Sequence, residues 1–238
     1  MIDYNEQPTN HYEQSYAISS EVTSRLMCSV FLWMTIGLGI SALAAYIIHD
    51  KQFDIALLQS RGLYLGLCIA EFALVMLLSA AIRRLSFGLA TLMFGAYALL
   101  NGVTISPILL MFTGSSVMTT FLITAGTFGA MAILGYTTKM DLSKMGKLLY
   151  MALIGLLIAI VVNLFVGSSM MDLIVSGAGV LIFTGLTMYD VNKLRKLFGQ
   201  AYEENEETRK VALLGALTLY LDFINLFLFV LRFLGNRR

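Results

Sequence analysis

The stretch ALTLYLDFINLFLFV, residues 216–230, decides how this chain is read. With its flanks it is long enough to cross a bilayer, which takes about 20 mainly apolar residues. Yet it carries a carboxylate, Asp222, at its centre. The run before it, LIFTGLTMYD (181–190), closes on a second, Asp190. An ionisable side chain inside a membrane is costly, so acids there are functional suspects by default.

Five more runs of the same kind precede these two. The expected spans are 26–48, 61–82, 87–112, 116–137, 146–167, 171–198 and 210–233, joined by short linkers. The chain has 238 residues, 58% hydrophobic and 13% charged, with a net charge of +1. A soluble domain carries about 25% charged residues. The balance points to an all-α, polytopic membrane protein, one bundle over 26–238 behind a polar leader, 1–25. Its partner is the lipid bilayer. A net charge near zero excludes nucleic-acid binding through a basic surface.

Other classes fall away on residue counts. Two cysteines, Cys28 and Cys68, lie inside expected spans and form no disulfide framework or zinc motif. The histidines, His11 and His49, fall in the leader and at the end of the first span, which argues against an intramembrane zinc site. The leader lacks a basic region followed at once by an apolar core, so no cleaved signal peptide is expected. Lysines and arginines mark the cytoplasmic side. Placing the N-terminus inside gathers Arg25, Arg83, Arg84, Lys139, Lys144, Lys147, Lys193, Arg195, Lys196, Arg209 and Lys210 there. Arg232, Arg237 and Arg238 fit only if the seventh run re-enters; seven full spans are the preferred reading. Pro107 should kink or break the third span. Small residues four apart, at Gly62 and Gly66, Ala125 and Gly129, and Gly126 and Ala130, are the expected helix contacts.

Polar side chains recur at helical spacing. Thr218, Asp222 and Asn225 form one stripe; Thr184, Thr187 and Asp190 form another; Tyr97, Asn101 and Thr104 a third. Glu71 adds a third acid at membrane depth. The stripes either enclose a wet path for protons or cations or make a dry hydrogen-bonded core. If Asp190 and Asp222 meet, they share a proton and titrate as a pair. Raising the pH then adds a second charge, which parts the helices or draws in a cation. Calcium takes oxygen ligands, and the two carboxylates with Thr, Asn and carbonyl oxygens are the candidate set. Arg83 and Arg84 end the second span about 18 Å from Glu71, at 1.5 Å per residue. Either snorkels to headgroups or latches to Asp190.

The layout, with TTKMDLS (137–143), GLTMYDVNKL (185–194) and LYLDFINLFLFVLRFLG (219–235), resembles the Bax inhibitor-1 family. This is also called the transmembrane Bax inhibitor motif family, and the likeness is to its bacterial inner-membrane branch. The resemblance implies a seventh helix wrapped by the other six. It implies a pH-sensitive calcium leak, without enzyme activity or bound cofactor, at the inner membrane with a cytoplasmic N-terminus. Asp190 and Asp222 take the place of the family's paired aspartates, and Glu71 that of the acid on its ion path. Arg83 or Arg84 takes the place of a latch to the first aspartate in the closed form. A non-catalytic regulator that binds a membrane protease is the alternative, docking through the leader or the EENEE loop (203–207). An intramembrane aspartyl protease is the minor one. Tyr189-Asp190 suits it, but Leu-Tyr-Leu-Asp stands where that chemistry needs a Gly-x-Gly-Asp loop.

Overall fold

A computed structural model describes the backbone of residues 7–201 and 203–236, and their side chains apart from 7–19, 58 and 61. Among the described residues eight helices follow one another: α1 (Gln7–Asp50), α2 (Phe53–Gln59), α3 (Arg61–Ala81), α4 (Phe87–Leu110), α5 (Gly114–Thr137), α6 (Ser143–Val166), α7 (Ser169–Phe198) and α8 (Glu206–Leu234). All but α2 are long and apolar enough to cross a membrane, α1 through its stretch Ser20–Asp50. The helix of α1 thus runs back through most of the expected leader. Docking through the leader's side chains falls on 1–19, outside the described ones.

The seventh span, α8, is the centre of the bundle. Over its most apolar stretch 72% of residues are buried, against 6% in α3 and 11% in α6. Helices α1, α4, α5 and α7 pack around it, α3 lies outside on α4, and α6 outside on α7. Its large apolar side chains fill the middle of the bundle, Leu219, Leu226 and Leu231 among them at 0% exposure. It is one unbroken helix, long enough to cross, that does not turn back on itself. At its start Glu206 Oε1 accepts from Phe87 N at 3.3 Å and Arg209 lies 4.6 Å over the Phe87 ring, beside the beginning of α4. At its end Thr113 N donates to Asn236 O (3.2 Å) and Asn236 N to Ser116 Oγ (2.9 Å), beside the α4–α5 turn.

Helix starts follow local chemistry. Ser86, Thr113 and Ser168 cap α4, α5 and α7 by accepting backbone N–H groups, and Asn205 with Thr208 forms a capping box on α8. Pro107 does not break α4, which continues to Leu110. Helix α2, expected as linker, is held by Asp54, only 1% exposed, whose Oδ2 lies 2.7 Å from His49 Nδ1.

The expected small-residue contacts are not the ones made. A side-chain carbon added at Gly62, Gly66, Gly126 or Gly129 would meet nothing within 4 Å. Close approach occurs at Gly102, where it would collide with the Ser41 carbonyl of α1, and at Gly135, facing the Met188 carbonyl of α7. Gly102→Val should therefore cost about 1–3 kcal/mol of unfolding free energy. Gly62→Ala should stay within about 0.5 kcal/mol. Denaturation in mixed micelles measures both, and equal effects would remove the α1–α4 contact as a determinant of packing.

Candidate functional site

Helix α8 carries two polar centres on opposite faces. Tyr220 and Asp222 are two residues apart, about 200° around a helix of 3.6 residues per turn. Asp222 faces α7. It is 5% exposed and Asp190 is 3% exposed, and their carboxyl groups lie within hydrogen-bonding reach of each other. Tyr150 of α6 donates to Asp190 Oδ1 at 3.4 Å, and its ring meets Tyr189 edge-on at 6.0 Å. Lys193, one turn beyond Asp190, is the cation acting on that carboxylate. Asp222 Oδ2 is buried with no N–H or O–H donor among the described residues. A carboxylate in that position lacks a partner, whereas a proton held between the two acids supplies one.

The other face of α8 holds a separate network. The Tyr220 hydroxyl donates to Asn101 Oδ1 at 2.8 Å and lies 2.7 Å from Ser41 Oγ. Asn101 Nδ2 donates to Glu71 Oε1, and Thr104 Oγ1 donates to Glu71 Oε2 at 2.8 Å. Glu71 of α3 is thereby tied through α4 to α8 and α1. The stripe of Asn101 and Thr104 serves Glu71, and Asp190 and Asp222 form their own pair. Sequence spacing suggests stripes around one path; the structure divides them into two centres.

The remaining expected residues are spent locally. Thr187 Oγ1 donates to Phe183 O (2.8 Å), Thr218 Oγ1 to Leu214 O (3.1 Å) and Asn225 Nδ2 to Leu221 O (2.8 Å), each one turn back on its own helix. Among the described residues no three His, Cys, Asp or Glu side chains gather as a metal site. Arg83 and Arg84 are exposed and, among the described residues, form no ion pair with Asp190 or any other acid. The latch is not made in this structure.

What fixes Asp190 in place is a clasp just beyond it. Asn192, 2% exposed, donates to Gly135 O at 3.0 Å, and Arg195 Nη1 donates to the Tyr136 carbonyl of α5. In the loop between α5 and α6, Asp141 accepts from Ser143 Oγ (2.7 Å) and Ser143 N (3.1 Å), while Lys196 Nζ of α7 lies 3.7 Å away. These hydrogen bonds from Ser143, with Lys196 beside them, hold the exposed Asp141 carboxyl below the usual carboxylate range. Residues 135–143 and 192–196 thus meet as two halves of one joint, Asn192 Nδ2 also donating to Thr138 O at 3.5 Å.

The family profile described as "Inhibitor of apoptosis-promoting Bax1" matches residues 23–238. The chain belongs to the Bax inhibitor-1 family. Over 214 residues it is 46% identical to the inner membrane protein YbhL of Escherichia coli K12, covering 89% of this chain and 92% of that one. Identity is 43% over 218 residues to a protein of Borreliella burgdorferi, covering 91% and 94%. It is 35% over 238 residues to one of Rickettsia prowazekii, covering the whole of both chains. The matched residues take in both polar centres and every span of this Bax inhibitor-1 family chain, the first from residue 23 onward.

Tyr150 and Tyr220 are the functional candidates that sequence reading misses. Tyr220 has a signal in hindsight, a polar-tipped aromatic inside an apolar run, which when buried usually finds a hydrogen-bond partner. Tyr150 has none, because its partner lies on another helix.

Proposed function

We propose that this chain is a pH-sensitive leak for calcium or other cations, gated by the Asp190–Asp222 pair. The carrying observation is the meeting of the two carboxyl groups on α7 and α8 at 3% and 5% exposure. At low pH one proton is held between them and the helices stay joined. Losing it leaves two like charges in a poorly solvated space, which repel each other. The repulsion separates α7 from α8 or is relieved by a cation. Calcium here is cargo, met by the carboxylates in passage. Glu71, in the separate centre on the other face of α8, belongs to the ion path only if that path passes both centres, and Arg83 or Arg84 reaches Asp190 only in an arrangement distinct from the one described.

The bacterial inner membrane is the proposed location, as for the relative named an inner membrane protein, with the N-terminus of α1 on the cytoplasmic side, where most of the lysines and arginines then fall. No enzyme activity is part of this reading. Leu219 and Leu221 flank the approach to Asp222, where a peptide backbone would have to enter a protease. Docking of a membrane protease is the weaker reading. In the EENEE loop Glu204 pairs with Arg209 (3.8 Å) and Glu206 with Lys210 (2.9 Å), so two of its four acids are engaged within the chain.

The test is calcium flux into proteoliposomes across a pH series. Asp190→Asn and Asp222→Asn are expected to alter the flux and flatten its pH dependence. Wild-type flux and pH response in both variants would remove the pair as the gate.

A further inference from the structure

A groove that touches the second polar centre only at Ser41 opens between α1, α4, α5 and α8. It encloses about 590 Å³, within the ~300–1,000 Å³ of small-molecule sites. Its wall is apolar, formed by Ala42, Ala45, Ile105, Leu109, Val117 and Phe227 among others. The two serine hydroxyls in the wall already have partners, Ser41 with the Ala98 carbonyl (2.7 Å) and Ser106 with the Ala45 carbonyl (3.4 Å). The interior therefore offers nothing to a polar ligand. Tyr46 and His49 stand at the mouth, and His49 is turned by its bond to Asp54.

Depth narrows the occupant. On α1 the groove runs from Leu38 to His49, about 16 Å at 1.5 Å per residue. That is half of the ~30 Å hydrocarbon core, the depth of one leaflet. A transmembrane helix of a partner would need the full core, and this groove stops at Leu38 and Phe223, near mid-membrane. An aromatic and a histidine at the rim suit the headgroup level. We infer that the groove holds one acyl chain of a bilayer phospholipid, inserted from the leaflet at the α2 end of α1. The tail ends against Ser41, and so covers the Ser41–Tyr220–Asn101–Glu71 network from that side. Binding of the tail does not depend on the leak.

Full-length protein reconstituted with a phospholipid carrying a photoreactive group midway along one acyl chain tests this. Bulk lipid reaches exposed positions such as Leu92 (72%) and Leu164 (78%), whereas Ile105 and Phe227, each 7% exposed, are reached only through the groove. Labelling of Ile105 and Phe227 is expected in the wild type. Ala42→Trp, which fills the groove, should abolish it while labelling at Leu92 persists. Wild-type label confined to exposed positions would overturn the inference. So would reaction of Ile105→Cys with a charged, membrane-impermeant thiol reagent, which marks a water-filled vestibule, or a crosslink from the groove to a second polypeptide. Calcium flux read on the same samples fails or survives on its own account.

Discussion

Tyr220→Ala is expected to lose about 3–5 kcal/mol of unfolding free energy, the range for truncating a large buried aromatic. The ring is fully buried on the central helix, edge-on to Phe94 and Tyr97 at 5.9 Å each. Lipid gives helices no hydrophobic drive to associate, so packing and interhelical hydrogen bonds hold them. Tyr220 supplies both at one point, joining α8 to α1 and α4. Tyr220→Phe keeps the rings and removes the hydroxyl from Asn101 and Ser41, for an expected loss of about 1–3 kcal/mol. Unfolding in mixed micelles, followed by circular dichroism, separates the two. An alanine variant no weaker than the phenylalanine variant would show that ring packing does not hold the centre together.

The spans are legible in the sequence because hydropathy and length report them directly. The expected end of the third, 112, lies two residues past Leu110, and the seventh, 210–233, sits inside Glu206–Leu234. The central place of α8 is not legible in hydropathy, since the least buried spans, α3 and α6, are no less apolar; it is expected only from the family resemblance. Nor is helix α2 legible, since FDIALLQ is too short to span and too short to show a period. Its fold depends on Asp54 finding His49.

Rotation of one helix against another is the information a single sequence withholds. Stripes at i, i+4 and i+7 name a face but not what it meets. Thr218 and Asn225 share a face with Asp222, yet each bonds its own backbone. Asn101 and Thr104 share a face as expected, and turn it to Glu71 rather than to Asp190. The glycines fail for the same reason. Spacing singles out Gly62 and Gly66, while close contact falls to Gly102 and Gly135, which happen to face a neighbour's carbonyl. Asp190 and Asp222 are legible as a pair only because an acid in an apolar run has few stable places to go.

That pairing leads to the second large effect. If the two acids act as one titrating unit, Asp190→Asn, Asp222→Asn and the double variant should lose the same pH response. One protonation step carries about 1.4 kcal/mol per pH unit, so the wild-type flux can change by at most about tenfold per unit from this source. An asparagine amide donates permanently to the remaining carboxylate, standing where the shared proton stands in the wild type, so either single change freezes the contact. In Asp190→Asn it also gives a partner to the oxygen of Asp222 that now has none. The double variant leaves nothing further to titrate, and its flux against pH should overlay those of the singles. Summed effects would mean independent sites, since additivity is the mark of groups that do not interact. One titration step surviving in each single variant, and lost only in the double, would then place the acids apart when the protein works, whatever their approach in this structure.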